Sequence, residues 1–289
     1  MNRTILLLII LNSMIMIYVF NSVPYTWVLT ILFSSILYGA LSPLISARKI
    51  YFLAAEAPHI SLLSIALGII LTNILPILNE FSWTILISLA LIYGIGLAIK
   101  RGLDPDIVTS AAIAFSASCS VIAVSYVLSR YSVRYNLWSI MLGDPLLTTM
   151  EDLYILISIS VIVLYVIIYI YRVNVYLGID ADYVKLHGVN TLFYDLALFT
   201  VIGIASIILL KLIGFVLEHV LLLLPSIMAM NITESSNQVF VISILLSVFI
   251  SMTGLAISIH LNVAPAGSIG LIAFLFYTTS HILRVKRNG

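Results

Sequence analysis

The stretch "FLAAEAPHISLLSIALGI", Phe52 to Ile69, decides how the chain is read. Its Leu, Ile and Ala residues run on for the length of a bilayer crossing, yet Glu56, Pro58 and His59 each oppose one. A carboxylate and an imidazole resist leaving water, and a proline removes a backbone donor. Such residues are tolerated at membrane depth only against protein or a water-filled cavity, and there they mark function.

The rest of the chain agrees with a membrane setting. Apolar residues make up 62% of 289 and charged residues 9%, with mean hydropathy +1.21. A soluble domain carries roughly 25% charged residues. The reading is therefore an all-α, polytopic helix bundle, one transmembrane domain over residues 1–289. A net charge of +1 offers nothing to nucleic acid. The lone Cys119, among Ser116, Ala117, Ser118 and Ser120, excludes an intrachain disulfide and a Cys-rich metal site. It reads as a small packing residue.

Apolar runs fall at about 4–20, 26–46, 50–72, 82–99, 107–128, 151–171, 192–211, 213–229, 238–259 and 267–284. Each approaches the ~20 residues that a crossing needs. The eighth follows the seventh almost without a loop, so that pair reads as a tight hairpin or one broken element, and the helix count as eight to ten. No Ala-x-Ala-like cleavage site follows the first run, which is read as an uncleaved helix. Ten spans place both termini on one side. With the termini cytoplasmic, Arg3, Arg48, Lys49, Lys100, Arg101, Arg172, Lys185, Arg284, Lys286 and Arg287 fall inside, and only Arg130, Arg134 and Lys211 outside. That split obeys the positive-inside rule. Tyr25, Trp27, Trp83 and Trp138 near span ends read as interface belts.

The longest polar connection on the inner side is "YRVNVYLGIDADYVKLHGVNTLFYD", Tyr171 to Asp195. Asp180 can cap a short helix there and Gly188 can end it in the left-handed conformation. Tyr183, Val184 and Leu186 alternate with Asp182, Lys185 and His187. The short amphipathic helix is either a solvated connector or a docking element for a cytoplasmic partner.

Five stretches in order resemble one family. "SARKIYFLAAEAPHISLLSIALG" is similar to the segment of ABC-type zinc/manganese/iron permeases, the ABC-3 family, in which two basic residues precede a Gly-Asp-Ala-Leu-Ser-His-Ala run. "MLGDPLLTTMEDL" resembles their Phe-Gly-Asp element, and "DADYVKLHGVNTLFYDL" their coupling segment. "LIGFVLEHVLLLLPSIMA" and "LNVAPAGSIGLIAFLFY" resemble their later spans. The resemblance covers the chain from about Trp27 onward. It implies a permease without ATP chemistry of its own, and no Gly-x-x-x-x-Gly-Lys-Ser/Thr loop occurs. It also implies an ATP-binding-cassette ATPase subunit gripping Asp180, Tyr183, Val184, Leu186 and Gly188. Further implied are an extracellular metal-binding lipoprotein or periplasmic-type binding protein, a permease homodimer, and a divalent metal as cargo with no permanent cofactor. Two departures stand out: the family's aspartate four residues before the histidine is Ala55, and its Pro-Gly after the histidine is Leu63-Ser64.

Glu56 and His59 lie three residues apart, on one face of a continuous helix. Carboxylate plus imidazole suits a first-row divalent metal better than Mg²⁺ or Ca²⁺. Pro58 is expected to break the helix beside them, as transporters do at ion sites. The alternative is a kinked helix whose Glu56–His59 pair bonds internally. A second pair, Glu218 and His219, sits in the eighth span; it is either a functional site or, for Glu218, an ion pair with Lys211. The two pairs together offer up to four N/O ligands, Glu56, His59, Glu218 and His219, for transient coordination. His260 reads as an outer-mouth residue, His187 as a partner contact and His281 as interfacial. Asp144 and Glu151–Asp152 are either outer acids that attract cations or contact a delivery protein or, for the latter two, a helix cap.

The nearest rival is the permease of a siderophore or corrinoid importer, whose bulky chelates give no reason for mid-span Glu/His pairs. A membrane-embedded metalloprotease lacks its His-Glu-x-x-His here, and a stand-alone secondary transporter needs no docking helix.

Overall fold

The computed structural model describes residues 3–131 and 148–288. Arg134, Trp138 and Asp144, and most of the "MLGDPLLTTMEDL" stretch, lie outside the described residues. The described elements are helices: α1 Arg3–Ser22, α2 Tyr25–Arg48, α3 Tyr51–Ile74, α4 Glu80–Lys100 and α5 Pro105–Arg130. Then come α6 Met150–Ile179, the short α7 Ala181–Leu186, α8 Thr191–Ile232, α9 Ser236–Leu261 and α10 Pro265–Asn288. Among the described residues, all but α7 are long and apolar enough to cross a membrane.

The boundaries follow from local chemistry. Asn79, Asp104, Asp180 and Asn190 each accept a hydrogen bond from a backbone N–H of the first turn they cap. Thr149 and Asp152 form a reciprocal capping box at the start of α6. The cap reading of Asp152 is thus observed. Lys49 and Asn262 close α2 and α9 in the left-handed conformation, each with φ 55.

α8 resolves the choice between hairpin and broken element. Its 42 residues would run about 63 Å if straight, twice the ~30 Å of a hydrocarbon core. Near its start, Asp195 bonds Arg48 of α2 at 2.6 Å, and Arg48 also bonds Asn174 of α6 at 3.0 Å. Lys211 instead meets Asp152 at 3.2 Å, at the opposite end of α6. Beyond Gly214 the chain returns: Ser226 bonds Ser42 of α2 at 2.8 Å, and Asn231 bonds Arg284 of α10 at 3.0 Å. The reversal sits at Gly214, with φ 80 and ψ 170, a region essentially closed to side-chain-bearing residues. The seventh and eighth apolar runs are therefore the outbound and returning halves of one helical hairpin.

With α8 crossing twice, the described helices make ten passes. Tyr171 Oη donates to the Ser236 carbonyl at 2.6 Å, which places the start of α9 at the Arg48 end. Asn12 of α1 donates to Leu245 O at 3.0 Å, and Tyr18 hydrogen-bonds His260 near the far end of α9. Arg3 and Arg284 consequently share the Arg48 end.

α2 and α8 supply most of the buried centre, while α1, α4, α5 and α10 are largely peripheral. Small residues let the inner helices approach. A Cβ on Gly39 would lie 2.8 Å from Ile244 Cα, so α2 and α9 pack backbone against backbone there. Lys100 of α4 joins the network at the Arg48 end by bonding Asp195 at 2.8 Å. One carboxylate thus ties α2, α4 and α8 together.

Candidate functional site

Glu56, His59, Glu218 and His219 all lie at membrane depth, and the structure sorts them into different surroundings. α3 is helical throughout Tyr51–Ile74, so the expected break at Pro58 is absent. Packing of α3 against α4, α5 and the hairpin α8 holds its helical geometry through the proline. Pro58 withholds its donor from the Ala54 carbonyl, and the next carbonyl along, Ala55 O, lies 3.1 Å from His219 Nε2.

His219 Nδ1 meets a second carbonyl, Phe215 O, at 2.9 Å. A neutral imidazole carries one N–H, so only one of these two contacts holds a proton between its atoms. His59 and His219 face each other with ring centroids 5.8 Å apart and planes nearly perpendicular. Phe215 packs against both, at 4.8 Å from His59 and 4.5 Å from His219. Both histidines are half-buried. His59 and Phe215 open on a cavity of about 700 Å³ between α3, α5 and the returning half of α8. Ser120, Ser125 and Ser129 of α5 supply its polar lining, and Leu62, Val121, Val124 and Leu128 the apolar part.

The two carboxylates do not join that pair. Glu56 is fully buried and accepts from Ser116 Oγ of α5 at 2.7 Å through Oε1; Oε2 makes no hydrogen bond. Glu56 and His59 therefore do not form the internal pair. Glu218 is also fully buried and lies beside Tyr38 and Ser206. Lys211 pairs with Asp152, not with Glu218, because the turn at Gly214 carries it to the end of the bundle. Among the described residues no group of three or more His, Cys, Asp or Glu stands close enough to hold a metal. The four residues are thus two facing imidazoles and two separated carboxyls.

Ser116, Phe215, Tyr38 and Ser206 were not singled out in the sequence as site residues. A serine or an aromatic in a greasy helix carries no local signal; only the packing of α5, α2 and the hairpin brings them to the ionisable groups.

The connector α7 is capped by Asp180, which accepts from Tyr183 N at 2.9 Å, and Gly188 follows it with φ 75. Leu186 is 86% exposed and Tyr183 58% exposed, while Val184 is buried against its own chain. His187 Nδ1 contacts Tyr183 O at 2.9 Å. At the opposite end of the bundle His260 meets Tyr18, while His281, near Arg284 at the same end as α7, stacks on Tyr277 with centroids 6.1 Å apart.

Fold and site together define a multi-pass helical membrane protein with paired histidines beside a partly open cavity. The chain belongs to the ABC 3 transport family, whose pattern matches residues 20–284. It is 26% identical over 247 residues to the high-affinity zinc uptake system membrane protein ZnuB of Buchnera aphidicola subsp. Schizaphis graminum, covering 86% of this chain and 92% of that one. It is 24% identical over 152 residues to the manganese import system permease protein ScaB of Streptococcus pneumoniae, covering 53% of this chain and 55% of that one. Its fold matches PsaBC from Streptococcus pneumoniae, solved in complex with Fab, with TM-score 0.76 at 22% identity over 89% of this chain and 90% of that one.

Proposed function

We propose that the chain is the membrane-spanning permease subunit of an ATP-binding-cassette importer for a divalent transition metal, zinc, manganese or iron. The observation that carries this reading is the approach of His59 and His219, from two different helices, beside the cavity. Imidazole suits first-row transition metals; His59 opens on the cavity, and His219 joins it as a ligand by releasing one of its two carbonyl contacts, which makes the site weak and releasable. Glu56, one turn from His59, adds negative charge at the same depth. The zinc and manganese relatives support the same substrate class.

The Arg48 end is the cytoplasmic end in this reading. Arg3, Arg48, Lys49, Lys100, Arg101, Lys185 and Arg284 gather there, whereas Arg130 and Lys211 lie at the other. The exposed face of α7, Tyr183 and Leu186, is the docking surface for a separate ATPase subunit. A second copy of the permease and an external metal-binding protein complete the importer. The deciding measurement is ATP-driven uptake of zinc or manganese in vesicles reconstituted with the ATPase, normalised to assembled complex. Normal uptake by His59→Ala would reject the metal-path reading.

A further inference from the structure

Between the end of the returning half of α8, α9 and α10 lies a groove of about 400 Å³, separate from the His59–His219 pair. Met228, Leu246, Phe276 and Leu283 give it apolar walls, and Asn231, Ser280 and Arg284 supply polar groups. Along α10 it runs from Phe276 to Arg284, about 12 Å of helix rise. That is most of the roughly 15 Å that make up half a hydrocarbon core. Asn231 and Arg284 stand where α8 and α10 finish, at the Arg48 end.

Arg284 is held there in one pose. Its Nη1 donates to Asn231 Oδ1 at 3.0 Å, and Asn231 Nδ2 donates in turn to Ser280 Oγ at 3.1 Å. Asn231 is only 8% exposed, so the guanidinium is anchored on a buried amide. An arginine that merely snorkels to the interface needs no such anchor. None of the ion pairs among the described residues includes Arg284, whereas the charge of Arg48 is met by Asp195. A guanidinium carries five N–H donors in a planar fork, of which Asn231 takes one. From Met228 to the C-terminus, Glu234 is the one acid against Arg284, Lys286 and Arg287, so this end carries a positive excess.

An occupant that satisfies both features is amphiphilic, with a hydrocarbon chain for the walls and an anion for Arg284. A free phosphate ion has no use for the walls, and a lipid uses both. Basic pockets between membrane helices take acidic lipid headgroups, and the guanidinium fork matches two phosphate oxygens at once. We propose that this groove binds one anionic phospholipid, its phosphate on Arg284 and one hydrocarbon chain laid between α8, α9 and α10.

Native mass spectrometry of the purified, delipidated full-length chain reads the site, with phosphatidylglycerol and phosphatidylcholine of equal chain length as probes. Wild type is expected to bind one phosphatidylglycerol saturably, more tightly than phosphatidylcholine and without displacement by inorganic phosphate. Arg284→Gln is expected to lower phosphatidylglycerol affinity about 5-fold, the scale of one cation beside an acidic headgroup. Thr279→Trp fills the groove from an exposed position, keeps Arg284, and is expected to abolish the tight binding. Arg101→Gln removes an exposed cation at the same end but outside the groove, and is expected to change nothing. Equal affinity for the two lipids in wild type would overturn the proposal, as would an equal loss in Arg101→Gln or tight binding retained in Thr279→Trp. Displacement by inorganic phosphate would leave a simple anion site and overturn it too. If Arg284→Gln is not monodisperse by size-exclusion chromatography, Thr279→Trp decides. The measurement needs no ATPase and no metal uptake, so its outcome is independent of the transport reading.

Discussion

His219 Nε2 lies 3.1 Å from the carbonyl oxygen of Ala55, on the turn of α3 that leads into Pro58. The contact makes the returning half of α8 part of the same polar surface as α3, and it fixes the ring that faces His59.

The two histidines should consequently act as one unit in transport. His59→Ala and His219→Ala are each expected to lower metal uptake roughly 10-fold or more, the scale of losing a ligand or its orienting partner. The double variant should be little worse than either alone, because both rings serve one ion. Glu56→Gln should reduce uptake while the Ser116 hydroxyl still finds an acceptor. Uptake per assembled complex in reconstituted vesicles measures all four. Additive losses would show that the rings act at separate points.

Gly214 holds φ 80 and ψ 170, where a Cβ is strained. Gly214→Ala is expected to destabilise the hairpin by about 1–3 kcal/mol. The loss should appear as a lower thermal midpoint in detergent and a reduced yield of monodisperse protein. An unchanged midpoint would show that the reversal tolerates another geometry.

Much of this architecture was legible in the sequence, and the reasons are physical. Apolar runs bounded by charges mark the passes because lipid tolerates little else, and Asp180 and Gly188 announce a short helix by their capping chemistry. Pro58 misled because a local rule for breaking helices yields to the packing of α3 on three neighbours. The hairpin was only one of two readings, since a lone glycine in an apolar run fixes no direction. Tyr38 and Ser206 stayed invisible because proximity to Glu218 is a property of the folded hairpin, with no trace in their own neighbourhoods.

Asp195 binds Arg48 at 2.6 Å and Lys100 at 2.8 Å, and its side chain is only 12% exposed. Asp195→Asn leaves two cations facing each other without an acid. Breaking a buried pair costs ~3–5 kcal/mol, and the partial exposure of Lys100 reduces that to roughly 2–3 kcal/mol. The exposed pair Lys211–Asp152 should matter less: Lys211→Met is expected to cost under about 1 kcal/mol. Comparison of the two thermal midpoints checks the ranking. Equal shifts would contradict the role of Asp195 as the tie between α2, α4 and α8.

Sidedness follows from the shared end of Arg48, Lys185 and Arg284. On a background with Cys119→Ser, a cysteine replacing Lys185 should react with an impermeant maleimide only from the cytoplasmic face. One replacing Lys211 should react from the outside. Labelling in the reverse pattern would invert the assignment of the ATPase face.

The docking surface gives the last prediction, and here the structure separates residues that the amphipathic pattern grouped together. Val184 is buried against its own chain, while Leu186 is 86% exposed and Tyr183 58% exposed on the outer face of α7. In the proposed complex Leu186, an apolar residue presented to water on a capped six-residue helix, would anchor the partner, and burying a leucine side chain contributes about 2 kcal/mol. Leu186→Asp should therefore abolish co-purification of the ATPase while leaving insertion, thermal midpoint and metal binding of the permease near wild type. Val184→Asp should act through the permease itself, with a lowered midpoint before any question of partner binding arises. Tyr183→Ala should weaken the complex and also loosen the His187 ring, whose centroid lies 4.2 Å from that of Tyr183. Affinity purification on the tagged permease, scored for ATPase stoichiometry beside thermal unfolding of the same sample, separates these effects. If Leu186→Asp retains full ATPase binding, α7 is a solvated connector and the partner grips the permease elsewhere.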